Sequence, residues 1–172
     1  MGVKGLHSFM EHHGSATTVD LRSVGQSHRS CQTIAVDGMG LLRKLHPKTI
    51  DWVAGGQYAE HRQSVISFVS KFRAANFKLV VFMDGAVDDA KQKTWASRRR
   101  SDVKSTNKIA ECLSHGNYPP DFLWHPPCGA LQCMAQAFKW AGCELVWTVG
   151  EADREAHNSE VIANKQCIGI VK

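Results

Sequence analysis

The sequence predicts an α/β fold, a doubly wound and mainly parallel sheet flanked by helices. Three observations predict it. Residues 33–36, 78–83, 144–148 and 167–171 are short runs that are apolar at most positions, as strands buried on both faces are. Stretches with apolar residues at helical spacing separate them. The resulting order, strand, helix, strand, helix, helix, strand, helix, strand, requires crossover connections, and these give a parallel sheet.

Each element has its own signal. Residues 12–30 are polar and contain glycine, so a loop is expected. The first strand, Thr33-Ile34-Ala35-Val36, ends at Asp37. Residues 56–75 carry Val65, Ile66, Phe68, Val69 and Phe72 at helical spacing, with Asn76 suited to a left-handed cap. Leu79-Val80-Val81-Phe82-Met83 forms the second strand and ends at Asp84. Residues 87–114 read as a long basic helix, and 115–127, rich in Pro, Gly and Asn, as a connector. A helix over 129–140 follows Pro126-Pro127, packs through Leu131, Met134, Ala135 and Phe138, and ends at Gly142. After the third strand, 151–164 reads as a helix with Ala152, Ala156, Val161 and Ile162 inward. The last strand, 167–171, is followed by Lys172.

The chain of 172 residues is one domain by length and long enough for a sizeable core. Its 43% hydrophobic and 22% charged residues are ordinary for a globular protein. No apolar run approaches the ~20 residues of a membrane span, so no membrane association is expected. Met-Gly-Val-Lys-Gly-Leu is neither a secretory signal nor a myristoylation signal, since position 6 is Leu. The six cysteines (31, 112, 128, 133, 143, 167) contain no Cys-x-x-Cys pair. They read as buried reduced thiols of a nuclear or cytoplasmic protein. His12-His13 and His125 offer no second half of a metal site, and the histidines are expected at the surface.

The chemistry concentrates at strand ends. Asp37, Asp84, Glu151 and Asp153 each follow a strand, and the carboxyl ends of parallel strands share one rim where α/β sheets bind ligands. Crowded carboxylates repel unless a cation neutralises them, which predicts Mg²⁺ or Mn²⁺. Helix capping is the competing role for each acid taken singly. Four together fit two-metal phosphoryl hydrolysis, with ions ~3.5–4 Å apart. A basic cluster of Lys91, Lys93, Arg98, Arg99, Arg100, Lys104 and Lys108 begins seven residues after Asp84. Asp88, Asp89 and Asp102 interrupt it, as they would a solvated helix face. Its place beside the acidic rim instead suggests a phosphate-contacting surface.

These residues resemble a known family. Met-Gly-Val-Lys-Gly-Leu, Ile34-Ala35-Val36-Asp37, Val80-Val81-Phe82-Met83-Asp84-Gly85 and Glu151-Ala152-Asp153 are similar to the motifs of flap-endonuclease and XPG-type nucleases. The resemblance implies a single PIN-like domain over 1–172. Asp37, Asp84, Glu151 and Asp153 would be its metal ligands, and Lys91 and Arg98 a basic pair that polarises the scissile phosphate. Gly2 would lie near the site with its amine available once Met1 is removed. Trp52-Val53-Ala54-Gly55-Gly56-Gln57-Tyr58, Lys91-x-x-x-Trp95-x-x-Arg98-Arg99 and Glu151-Ala152-Asp153-x-Glu155 resemble the constitutive coactivator of PPAR-gamma family, related to the asteroid proteins. That family is associated with RNA binding, scaffolding and transcriptional coactivation. Both relatives imply a further acidic pair after the fourth strand; here Lys172 follows it. A fragment, short isoform or truncated form with an incomplete metal site is therefore expected.

Three functions follow as expectations. The preferred one is a nucleic-acid-binding scaffold with little or no catalysis. It would bind single-stranded or structured nucleic acid, RNA in preference to DNA, through Gly2, Lys91, Lys93, Arg98, Arg99, Arg100 and Lys104, with protein partners in regulatory complexes. The alternative is a Mg²⁺- or Mn²⁺-dependent structure-specific 5′ nuclease using Lys91 and Arg98 against the phosphate. The third is a protein-interface domain anchored by Trp52, Trp95, Trp124, Trp140 or Trp147, most of which are expected in the core.

Overall fold

Four parallel strands set the architecture in the computed structural model. It describes residue 9 and residues 12–14, 19–27, 30–87 and 89–150 in full, and the backbone of 167–171. The strands are β1 (Gln32–Asp37), β2 (Phe77–Met83), β3 (Glu144–Trp147) and β4 (Cys167–Val171), in the order β3-β2-β1-β4. β1 pairs with β2 from Gln32↔Phe77 to Asp37↔Phe82, and β2 with β3 from Val80↔Glu144 to Met83↔Trp147. On the other side of β1, Thr33 pairs with Cys167 but Ala35 with Ile170. β4 thus accommodates one extra residue beside Gly169, as a bulge does. Succession runs outward from β1 through β2 to β3, then returns past β1 to β4. That reversal puts the topological switch point between β1 and β4, where an open α/β sheet leaves a crevice.

The described helices are α1 (Leu21–Ser27), α2 (Gly38–Leu45), α3 (Tyr58–Ala74), α4 (Gln92–Ser114) and α5 (Ala130–Trp140). Short 3-10 turns lie at Asp89–Lys91 and Asp121–Leu123. α2, α3 and α5 pack on one another and on the sheet. Between them lies the core. Ile34 and Val36 on β1 alternate with Phe77, Leu79, Val81 and Met83 on β2 to meet Leu41, Val65, Val69, Met134 and Phe138. Burying side chains such as Val65 or Phe138 contributes roughly 1.5–3 kcal/mol each. The intervening residues Thr33, Ala35, Val80 and Phe82 are buried too. Both faces of the central strands are therefore covered, which is why these segments read as continuous apolar runs.

The expected boundaries hold where turn chemistry is explicit. Asn76 ends α3 at φ 64 and its side-chain amide donates to the Gly25 carbonyl at 3.0 Å. Gly129 precedes α5 at φ 80, and Gly142 follows it at φ 79. The Gly55-Gly56-Gln57 stretch is a turn into α3. Both glycines have positive φ, and Gln57 accepts from the Asp51 N–H at 2.7 Å.

Other expectations need correction. Part of the loop expected over 12–30 is α1: Asp20 accepts from the Arg22 N–H at 3.1 Å and so starts a helix. Its Gly25 packs where an added Cβ would lie 1.7 Å from the Ala75 carbonyl oxygen. β3 is an edge strand with Glu144 and Trp147 exposed, not a strand buried on both faces. The expected basic helix opens with the 3-10 turn and becomes α-helical at Gln92. The five described cysteines are free as expected, yet Cys31 and Cys128 are exposed and the others half-buried. Trp95, Trp140 and Trp147 are exposed rather than in the core, while Trp52 is buried. Two histidines depart from the surface expectation: His46 is buried, and His61 on α3 is 2% exposed with both ring nitrogens unpartnered. Helical spacing places His61 four residues before Val65, on the stripe that faces the core.

Candidate functional site

Asp37 closes β1 and caps α2. Its carboxylate accepts from the Gly40 N–H at 3.1 Å. The capping role is therefore real, but it engages one oxygen of a group that carries two. Gly38 follows because nothing larger fits: an added Cβ would lie 2.3 Å from the Met83 sulfur. The strand end is thus held tightly between the sheet and its helix, at the edge next to the switch point.

Asp84 follows β2 at the same rim and is exposed. Since Asp37 pairs with Phe82, Asp84 stands one strand across and two residues further on. Strand spacing and rise put their Cα atoms about 8 Å apart. Thr148, just past β3, rivets this corner. Its N–H donates to the Met83 carbonyl at 3.1 Å, and its buried hydroxyl lies 3.0 Å from the same oxygen and 2.6 Å from the Gly150 carbonyl. Gly85 N–H donates to the Gly150 carbonyl at 2.9 Å and Ala86 N–H to the Val149 carbonyl at 3.0 Å. A Cβ on Gly85 would sit 1.9 Å from the Thr148 carbonyl oxygen. The residue preceding Glu151 is therefore bonded to the residue following Asp84.

Two of the four expected acids, Asp37 and Asp84, thus share one rim. Glu151, Asp153 and Gly2, together with the helix expected over 151–164, lie outside the described residues. Among the described residues no group of three or more His, Cys, Asp or Glu side chains is placed to hold a metal ion.

The basic residues divide between two faces of α4. Residues seven apart nearly coincide around a helix, so Arg98, Ser105 and Cys112 form one stripe, and Lys91 lies in the 3-10 turn just before it. Ser105 and Cys112 are half-buried, so the second half of this stripe turns toward the domain, while Arg98 is exposed and Lys91 half-buried. Lys93, Arg100 and Lys104 fall on the opposite, solvent-facing side. Arg99 lies between: it pairs with Asp102 at 3.1 Å, and its guanidinium stands 5.6 Å from the centre of the Trp95 ring. α4 has no buried residue. Among the described residues its main contacts are with the two 3-10 turns. The second turn is anchored by Arg43, which donates to the Asp121 carbonyl at 3.0 Å and lies 5.4 Å from the Trp124 ring centre.

Sequence reasoning missed Thr148, for which the signal was a hydroxyl directly after an apolar strand. It also missed the clasp at Asp51. That carboxylate accepts from the Val53 and Ala54 N–H groups and, at 2.9 Å, from the Tyr118 hydroxyl. Those bonds hold its pKa below the usual carboxylate range, with the Ala54 bond the largest cause. Tyr58 similarly donates to the Cys128 carbonyl. The Gly-Gly-Gln turn is thereby tied to the connector before α5.

This fold matches solved nucleases. The catalytic core of Rad2 in complex with DNA substrate superposes with TM-scores of 0.61 and 0.55 in two of its complexes, at 16% and 18% identity. The matches cover 99% and 98% of this chain and 47% and 44% of theirs. Human GEN1 in complex with Holliday junction DNA gives a TM-score of 0.51 at 20% identity, over 99% of this chain and 36% of that one. The chain therefore has the fold of these nuclease cores. Among proteins of similar sequence are the constitutive coactivators of peroxisome proliferator-activated receptor gamma, 32% identical in human and in cattle over 99% of this chain. The chain spans 19% and 25% of those two relatives. No family model matches it.

Proposed function

We propose that this PIN-like domain is a nucleic-acid-binding module of a regulatory protein, with α4 as its phosphate-contacting surface. The observation that carries the reading is a 23-residue helix with no buried residue and a row of basic side chains, starting beside an acidic rim. A helix with only half-buried positions gains less from packing than a core helix does, and this one presents charge of the sign that phosphates require. The coactivator names of the sequence relatives support a regulatory role, and the DNA bound in the Rad2 and GEN1 structures supports a nucleic-acid ligand. RNA in preference to DNA, and a nuclear or cytoplasmic location, are parts of the same proposal.

A labelled single-stranded oligonucleotide tests it by fluorescence anisotropy. Lys93→Glu with Arg100→Glu reverses charge on the solvent-facing side and should weaken binding at least tenfold. The salt dependence should become shallower, since fewer counterions are released. Unchanged affinity would end the reading.

The shared rim of Asp37 and Asp84 favours one second reading, a divalent-metal nuclease. Asp37 and Asp84, with Glu151 and Asp153, would hold Mg²⁺ or Mn²⁺, which supplies charge neutralisation and an activated water when bound. Lys91, at the end of the 3-10 turn, and Arg98 on α4 would face the phosphate. Millimolar Mn²⁺ should then raise the melting temperature, and Asp84→Asn should abolish the rise. Cleavage of a flap or single-stranded substrate that is lost in Asp37→Ala would establish catalysis.

A further inference from the structure

We infer that Trp95, with Arg99 against its ring, is a base-stacking platform that selects single-stranded over duplex nucleic acid. The inference rests on the nucleic-acid reading of α4 and names the ligand's strandedness and the residue that reads it.

Tryptophan is a large apolar group, and on an exposed helix it needs a reason. Trp95 is 49% exposed, and its helix has no buried residue, so it does not serve the core. The Arg99 guanidinium stands 5.6 Å from its ring centre and is held by Asp102. This i,i+4 contact supports the helix, but it leaves about half of Trp95 open to solvent. Two other tryptophans also meet an arginine, and the comparison separates the cases. Trp124 with Arg43 packs against the core. Trp140 with Arg62 ends α5, a helix with a single basic residue, Lys139. Trp95 stands beside Arg98 and Arg99, both exposed, three and four residues on and so on the same part of the helix surface. A π-face between cations is the chemistry that takes an unstacked base while the neighbouring charges take its phosphates. Duplex bases are already stacked inside the helix and present no free face to it.

The test uses the full chain, a short labelled oligouridine and a hairpin duplex closed by a non-nucleotide linker, each titrated by anisotropy over a range of salt. Trp95→Ala should weaken oligouridine binding about tenfold, leave hairpin affinity unchanged and keep the salt slope, because no phosphate contact is lost. Trp95→Phe, which keeps a ring, should retain most of the affinity. If Trp95→Ala binds oligouridine like the parent while Lys93→Glu with Arg100→Glu does not, stacking is refuted and the phosphate surface stands. Equal losses on oligouridine and hairpin would refute base reading in favour of a role in helix structure. If the parent binds neither probe, the nucleic-acid reading and the stacking inference both fail.

Discussion

His61→Leu should make the domain more stable, and more so in acid. His61 is 2% exposed and neither ring nitrogen has a partner. Its nearest aromatic neighbour is His46, with ring centres 5.4 Å apart. An unmet buried polar group costs roughly 1–3 kcal/mol. Leucine removes that demand at similar volume, so a gain of about 1–2 kcal/mol is expected at neutral pH. For a chain of this length, each kcal/mol raises the melting temperature by about 2–4 °C. Burial lowers the pKa of both histidines below the ordinary 6.5, and for His61 the nearby His46 adds to the effect. The fold therefore keeps both rings neutral. Below pH 6.5 the unfolded chain binds protons that the folded one does not, so stability is complete above that pH and drains as pH falls toward the depressed values. The loss is at most about 1.4 kcal/mol per pH unit for each histidine. Arg43, Lys48 and Asp121 line the small cavity beside His46, and the two cations oppose its protonation while Asp121 favours it. Urea denaturation at pH 7.5 and 5.5 should show His61→Leu more stable at both and about half as sensitive to acid. Stability no greater than the parent's, with the same acid sensitivity, would refute the reasoning.

Three further outcomes are expected. Gly25→Ala forces a Cβ to within 1.7 Å of the Ala75 carbonyl oxygen and should destabilise the fold by about 1–3 kcal/mol in urea. Cys143, whose thiol burial pushes up to about 11, should resist iodoacetamide at pH 7.5, while the exposed Cys31 and Cys128 react first, as peptide mass spectrometry would show. Asp51→Ala removes the three hydrogen bonds of the Gly-Gly-Gln clasp and should lower the melting temperature by a few degrees. Because those bonds depress the Asp51 pKa, their contribution is present at neutral pH and is lost only as pH falls below the ordinary 3.8.

The sequence by itself determined the four strands, their parallel pairing and the positions of Asp37 and Asp84, because the central strands β1 and β2, covered on both faces, leave uninterrupted apolar runs, β3 and β4 are short and apolar at most positions, and every parallel strand ends at one rim. It also determined the caps at Asn76 and Gly142, since a left-handed backbone asks for particular residues. Sequence spacing alone does not say which of several exposed or buried roles a residue takes. Trp52 and Trp95 read alike, yet one packs edge-on to Tyr118 at 6.2 Å and the other lies open on a helix that touches little. His61 is polar by type and core by position. α1 hid in a polar stretch because a seven-residue helix is held by packing against the end of α3 rather than by its own periodicity. The strand order that puts Asp37 beside the switch point, and the Thr148 bonds that bring Gly150 next to Gly85, join residues far apart in the chain, and only tertiary pairing decides which of them meet.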